Sequence, residues 1–343
     1  MKITDFDYNL PPEKIAIYPP EVRGNARLIV LNRQTQEINH QRYSDLIEYI
    51  YPGDLVILNN TKVIKARLIT HKSNGARIEL LLEEKHYPSV DVNSQKAIYR
   101  GNIEIGDHLL IGKYQIIVKS IEKEGEVIIS CEKNLYEFTE EFGEVPIPPY
   151  LKRKSEDIDE VRYQTVFAKE DGSVAAPTAS LNFTDELKQK IEAKGAMVSF
   201  ITLHVGLGTF LPVREEEVEK HQIHSEYFII NNNVVNQIRQ TKLSSHKVIA
   251  IGTTVTRALE AASERILNEK YQENIEKEAQ IYIYPGYEFK IVDNLVTNFH
   301  APRSTVLLLA SAFAETDLLK KAYQEAVEND YKFLSYGDSM LIL

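Results

Sequence analysis

Three prolines within four positions, Pro146, Pro148 and Pro149, divide this chain into two stretches of different periodicity. Consecutive prolines remove ladder donors and favour an extended backbone, so Gly143 to Tyr150 reads as the linker that ends the β-rich stretch. Upstream of it, Arg77 to Leu82, Ala97 to Arg100, His108 to Ile111, Tyr114 to Ile121 and Val127 to Cys131 alternate apolar and polar residues. Gly106-Asp107, Gly112-Lys113 and Glu124-Gly125 punctuate them, and no helical period intervenes. Short strands at this spacing predict a small sandwich or a closed barrel. Downstream, helices alternate with strands. Thr184 is placed to cap a helix carrying Leu187 and Ile191, with Gly195 at its end. Met197 to His204, Lys247 to Ile251 and Phe289 to Thr297 read as strands. Helices are predicted after Gly252, from Thr305 and over Asp317 to Asn329. Such alternation predicts an α/β fold, a layered sheet with helices. Leu55 to Asn59 already has the look of a core strand, so the β-rich stretch interrupts the α/β domain. At 343 residues the chain is long enough for about two domains.

The sole cysteine, Cys131, cannot close a disulfide within the chain and sits in a strand pattern, where an inert buried thiol is expected. The longest apolar run, Val306 to Ala314, is about half of what crosses a bilayer. The start, Met1 to Asp5, has no apolar core for a signal peptide. These features place the protein in the cytoplasm, away from any membrane. Forty basic against fifty acidic residues give a net charge of −10, which excludes a protein that coats nucleic acid non-specifically. The charge is uneven, however. Lys62, Lys65, Arg67, Lys72 and Arg77 fall in one stretch without an acidic residue, and Lys152-Arg153-Lys154 follows the prolines. A local phosphate-facing patch is compatible with that pattern, as are two solvated loops.

There is no Walker phosphate loop and no Gly-x-Ser-x-Gly elbow, and Gly206-Leu207-Gly208 lacks the third glycine of a dinucleotide site. Four polar joints stand out instead, each where a strand ends or a helix begins, which is where open α/β sheets collect ligands. They are Gly172 to Thr184 (with Thr178, Ser180 and Asn182), Thr202 to Phe210 (with His204, Gly206 and Thr209), Gly252-Thr253-Thr254 with Arg257, and Thr297 to Thr305 (with Asn298, His300 and Arg303). Of nine histidines, His204 and His300 lie in these joints, and an imidazole pKa near ~6.5 suits proton transfer. His221, His224 and Glu226 form a further cluster, read as structural residues or as an organic-ligand site ahead of metal ligands, because no cysteine lies near and strand alternation would splay the two histidines.

At the same joints the sequence resembles the S-adenosylmethionine:tRNA ribosyltransferase-isomerase family of queuosine biosynthesis. The matching blocks are Tyr163 to Ala168 with Gly172 to Thr178, Ile201 to Phe210, His221 to Tyr227, and Gly252-Thr253-Thr254 with Arg257. Tyr284-Pro285-Gly286, Thr297 to His300 with Pro302 and Ser304-Thr305, and Ser335 to Asp338 continue the likeness. Leu10-Pro11-Pro12, Arg27-Leu28, Leu58-Asn59 with Thr61, and Val63 to Leu68 extend it to nearly the whole chain. The resemblance implies an α/β domain, residues 1–68 and 151–343, interrupted by a small β-barrel, residues 69–150. It implies transfer and isomerisation of the ribosyl part of S-adenosylmethionine onto 7-aminomethyl-7-deazaguanine at the tRNA wobble position. The product is epoxyqueuosine-tRNA, and adenine and methionine leave. No metal and no cofactor are implied beyond S-adenosylmethionine, which is consumed as a substrate. The partners are then tRNA and S-adenosylmethionine, and the chain is expected to act as a monomer.

That chemistry needs a base beside the sulfonium, an acid for departing adenine, and donors for the methionine carboxylate. Within it, His204, His224 and His300 are the candidates for proton transfer, and Glu226 for facing the sulfonium. Arg257, Arg303 and the helix start at Thr253-Thr254 are candidates for holding the carboxylate. Thr178, Ser180, Asn182, Gly206, Thr209 and Asn298 are the remaining substrate-binding candidates. Lys62, Lys65, Arg67, Lys152, Arg153 and Lys154 are candidates for tRNA phosphates. The chain also departs from the family pattern. Ser180-Leu181-Asn182 stands where Gly-Leu-His is usual, Asn60 replaces a usual aspartate, and Leu211 replaces a usual basic residue. Ala301 and Glu144 depart too. The alternative is therefore a diverged paralogue that binds tRNA or a nucleoside without this reaction.

Overall fold

In the computed structural model, which describes residues 1–83, 93–206, 213 and 215–343, the α/β half is built on a nine-stranded mixed sheet. Its centre is four parallel strands in the order Met197–Leu203, Leu55–Asn59, Val248–Ile251 and Asn294–Asn298. Leu55–Asn59 is buried at every position, as an apolar run flanked on both sides by strands and covered on both faces must be. Further strands extend the sheet on both sides, all paired antiparallel except Arg27–Leu31, which runs parallel to Ser339–Ile342. Glu226–Ile230 and Ile275–Ala279 lie beyond Met197–Leu203, while Ser339–Ile342, Arg27–Leu31 and Ile38–Arg42 complete the other side. Two apolar cores lie on the sheet. One contains Ile57, Leu203, Val255, Leu259, Leu308 and Phe313, the other Val56, Leu58, Phe183, Leu187 and Ile191.

The expected helix after Thr184 spans Asp185–Ala193. The Thr184 hydroxyl accepts from the Leu187 amide at 3.1 Å, and Gly195, at φ +92°, leads out of it. Helices Thr253–Ala261, Thr305–Ala314 and Thr316–Glu328 form where the apolar spacing placed them. The strand expected over Phe289 to Thr297 is shorter and covers only Asn294–Asn298. The reason is Glu260. Its buried carboxylate accepts the amides of Lys290, Ile291 and Val292 at 2.9, 3.0 and 3.0 Å, which diverts these donors from any ladder.

The β-rich stretch closes. Arg67–His71, Arg77–Leu82, Ser94–Arg100, Glu126–Cys131, Tyr114–Ile121 and His108–Ile111 follow one another, and His71 pairs with Leu110 to complete a six-stranded barrel. Of the sandwich and the barrel, the barrel is therefore the one formed. Its alternating strands point Ile78, Leu80, Leu82, Ala97, Ile116, Val118, Val127 and Ile129 into a core of their own. Leu135–Phe142, a helix the acid-rich spacing did not suggest, packs Leu135 and Phe138 against that core, and Cys131 is buried there as a free thiol. Gly143–Glu144 pairs back onto Arg67 and Leu68, so both connections of the barrel run side by side. A smaller apolar cluster, including Val63, Val145, Ile147, Tyr163 and Tyr336, sits where the connections meet the sheet. Among the described residues no helix is long and apolar enough to cross a membrane.

Candidate functional site

The four central strands are parallel, so their carboxyl ends share one edge of the sheet, and three of the four polar joints leave from it. A cavity of about 170 Å³ opens there. Thr178, Gly252, Thr253, Thr254, Arg257, Asn298 and His300 line it, as do His224 and Glu226 from the antiparallel extension. Gly252 holds φ +108°, a conformation that favours glycine, and lets the chain turn from Val248–Ile251 directly into the helix starting at Thr253. The first amides of that helix lack intrahelical partners and carry the positive end of its dipole.

Several neighbours hold one another in place. The Thr178 hydroxyl donates to Asn298 Oδ1 at 2.9 Å, and Asn298 Nδ2 donates to the Asp338 carbonyl at 3.3 Å. Arg257 is ion-paired through Nη1 with the buried Glu226, and its Nη2 donates to the carbonyls of His224 and Ala279 at 3.2 and 3.0 Å. Glu226 also accepts the Gly206 amide at 3.3 Å. The opposite charges so close together mean that Glu226 presents no unpaired negative charge to a sulfonium. The residues that line the cavity also carry polar atoms that nothing in the protein satisfies. Thr254 Oγ1, Arg257 Nε and the Tyr282 hydroxyl are buried without a hydrogen-bond partner. Burial, with Glu215 as a lesser cause, raises the Tyr282 phenol, which stays protonated as a donor.

The histidines divide. His300 lines the cavity, its Nε2 2.7 Å from Thr297 Oγ1, and burial pushes its imidazole down to about 3. It is neutral at ordinary pH and serves as a hydrogen-bond partner, not as an imidazolium acid. His224 lines the mouth and is exposed. His221, at the same mouth, holds Nδ1 2.8 Å from Glu215 Oε2 and meets Tyr282 edge-on at 5.5 Å. His204 is turned away from the cavity. Its Nδ1 meets Thr61 Oγ1 at 2.9 Å, its ring lies parallel to Tyr227, and Gly172 packs so closely that a Cβ there would lie 2.7 Å from the imidazole. No group of three His, Cys, Asp and Glu among the described residues is arranged to hold a metal ion.

Other candidates also lie apart from the cavity. Ser180 and Asn182 are buried and do not line it. Arg303 sits outside, where Nε donates to Asp7 Oδ2 at 3.0 Å. Gly206 is buried one residue from the lining Val205. Thr209 and Leu211 lie outside the described residues. Of the basic candidates, Arg153 is taken up by the buried Asp159, at 2.6 and 2.8 Å, while Arg67 meets Glu79 at 3.3 Å and the Ile147 carbonyl at 3.0 Å. Lys65 pairs with Glu160 at 2.7 Å and Lys62 with Asp171 at 3.0 Å. Lys152 and Lys154 are exposed. Sequence reasoning did not single out Tyr150, Tyr163, Tyr282 and Ser335 as site residues, and all four line the cavity. Tyr163 and Ser335 open family-like blocks and Tyr282 lies two residues before another, which is the signal that was there to use.

An open mixed sheet with a polar-lined cavity at its parallel carboxyl ends, and a barrel inserted beside it, defines a two-part α/β protein of the architecture that places small-ligand sites at that edge. The family model described as "Queuosine biosynthesis protein" matches residues 3–342, and the chain belongs to that family. The S-adenosylmethionine:tRNA ribosyltransferase-isomerase of Chlorobaculum parvum is 54% identical over 343 residues, covering 100% of both chains. Its namesake from Francisella philomiragia is 46% identical, again over 100% of both. The crystal structure of S-adenosylmethionine tRNA ribosyltransferase from Thermotoga maritima superposes with a TM-score of 0.57 at 34% identity, covering 99% of this chain and 100% of that one.

Proposed function

We infer that this chain is an S-adenosylmethionine:tRNA ribosyltransferase-isomerase, a transferase of queuosine biosynthesis. Family membership across residues 3–342 supports this, as do relatives of that name along the full length. The finer reading is that the ribosyl group of S-adenosylmethionine moves to the aminomethyl nitrogen of 7-aminomethyl-7-deazaguanine at the wobble position. The carbon–sulfur and glycosidic bonds break, methionine and adenine leave, and the ribose closes to the epoxycyclopentanediol of epoxyqueuosine. The observation that carries the site is the set of unsatisfied polar atoms, Thr254 Oγ1, Arg257 Nε and Tyr282 OH, on residues lining one cavity. Buried polar atoms cost about 1–3 kcal/mol each when unpaired, and a polar ligand removes that cost.

In this reading Arg257 Nε and the amides at Thr253-Thr254 take the methionine carboxylate, with Glu226 fixing the guanidinium. Thr178 and Asn298 contact the ribosyl part, His300 hydrogen-bonds as a neutral imidazole, and His224 at the mouth moves a proton. S-adenosylmethionine is a consumed substrate, and no further cofactor enters. The exposed Lys152 and Lys154, with Lys62 beside the barrel connections, face tRNA phosphates. The insertion expected over 69–150 begins two residues earlier, with the barrel strand Arg67–His71, in a domain made of the residues on either side, and the protein works as a cytoplasmic monomer. Incubation with S-adenosylmethionine and tRNA of verified 7-aminomethyl-7-deazaguanine content should release adenine and methionine in equal amounts. Salt-dependent tRNA binding with neither product would leave a binding paralogue and refute the reaction.

A further inference from the structure

The first eight residues join two segments far apart in sequence, the one that leads to His221 at the cavity mouth and the loop that bears His300. At one end Ile3 N donates to the Glu216 carbonyl at 2.9 Å and Val218 N donates to the Met1 carbonyl at 3.0 Å. That segment carries Glu215, the partner of His221 at the cavity mouth. In the middle Ile3 and Phe6 are buried in the main core. At the other end the Arg303 amide donates to the Phe6 carbonyl at 3.1 Å, and the Arg303 side chain, on a residue at φ +56°, pairs with Asp7. The Tyr8 hydroxyl donates to the carbonyl of His300, while the His300 amide donates to the Tyr323 hydroxyl at 2.9 Å. The two tyrosine rings meet edge to face at 5.2 Å.

We propose that residues 2–8 form a positioning strap, and that Tyr8 and Tyr323 are positioning residues that fix His300 by holding its peptide carbonyl and amide. Both hydroxyls grip backbone and neither touches the imidazole, so the ring's orientation toward the cavity follows from where its peptide is pinned. The left-handed Arg303 is held on the same strap by Asp7 and Phe6, which sets where the loop after His300 turns back toward the helix at Thr305. A neutral imidazole that orients substrate must be held to within about half an ångström, and a loop without these bonds has no other polar tie to the N-terminal segment. The catalytic consequence rests on the ribosyltransferase reading; the strap itself does not.

The test separates the two. Tyr8→Phe and Tyr323→Phe keep the rings and remove only the hydroxyls. In either variant, amide hydrogen exchange across residues 299–304 should speed at least tenfold while strand Asn294–Asn298 keeps its protection. Unchanged exchange overturns the strap, whatever the protein catalyses. The kcat for adenine release should fall about tenfold with little change in KM for S-adenosylmethionine. In a His300→Gln background the same Tyr8→Phe change should have no further effect. An equal fall in both backgrounds, or faster exchange with unaltered kcat, overturns positioning through His300. Asp7→Asn, which releases Arg303 without touching either tyrosine, should raise exchange over the same residues, and a failure to do so also counts against the strap. Wild-type protein that makes no adenine from verified tRNA would refute the ribosyltransferase reading instead, with the exchange comparison still deciding the strap.

Discussion

Arg257 separates binding from stability within one side chain. Its Nη atoms are committed to Glu226 and to the carbonyls of His224 and Ala279, whereas Nε is buried and unpaired in the cavity wall. Arg257→Ala removes the guanidinium paired with Glu226, which is buried at 4% exposure. Breaking one side of a buried pair costs about 3–5 kcal/mol, so unfolding should begin several degrees lower. Arg257→Lys keeps a charge near Glu226 but cannot reproduce the planar fork, and it loses Nε. A charge-assisted hydrogen bond contributes about 1.5–3 kcal/mol, which is roughly a 10–150-fold loss in affinity for S-adenosylmethionine. Equilibrium dialysis of S-adenosylmethionine without tRNA measures the binding, and calorimetry measures the melting temperature. The expected pattern is weak binding by both variants with most of the melting temperature retained only by the lysine. Arg257→Lys that binds within threefold of wild type would show that Nε does not meet the ligand and would refute the carboxylate assignment.

Three further outcomes follow from the same geometry. Lys152→Gln with Lys154→Gln should reduce the slope of log tRNA affinity against log salt by about 1.4–1.8 in titrations, with S-adenosylmethionine binding unchanged; an unaltered slope returns both to solvent. His300 stays neutral in the folded protein down to about pH 3, whereas the unfolded imidazole protonates below ~6.5, so the unfolded chain binds the extra proton between these values. Stability from this group is full above pH ~6.5 and is lost by about 1.4 kcal/mol per pH unit as pH falls toward 3; urea midpoints of His300→Gln should therefore fall less steeply with acid than wild type, and parallel curves would contradict the burial. Ser180 ends a right-handed turn, Thr178–Ser180, and neither it nor Asn182 lines the cavity, so Ser180→Gly with Asn182→His should change kcat by less than about tenfold, or ~1.4 kcal/mol; a hundredfold rise would mean that this chain lacks a catalytic group.

What could be read in the sequence is what depends on neighbours along the chain. The barrel strands from Arg77 to Cys131 were visible because side chains alternate with period two, and the Thr184 cap and the Leu187–Ile191 stripe because a helix repeats every 3.6 residues. The polar joints converged because parallel strands place their carboxyl ends together, a consequence of topology that holds without knowing any contact. Which side chain of a joint faces the cavity was not legible. Glu226 begins a strand paired with Met197–Leu203 and His204 follows the latter directly, and Thr61, Gly172 and Arg257 decide where each can point. Phe289 to Val292 had strand composition, yet one buried carboxylate 30–32 residues away claimed three of its amides.

Arg303 shows why this limit is physical. In sequence it follows His300 by three residues and has the charge a carboxylate needs, so proximity and chemistry both assign it to the ligand. In the fold its backbone is left-handed and its amide is spent on Phe6, which turns the guanidinium outward to Asp7, 296 positions away. A cation at the edge of a site goes to the nearest unpaired carboxylate, and the strap that supplies Asp7 also supplies Tyr8 to the His300 carbonyl. The same contact that removes Arg303 from the substrate thus ties the loop bearing His300. Local sequence lists the groups that could do chemistry; long-range pairing decides which of them remain free to do it.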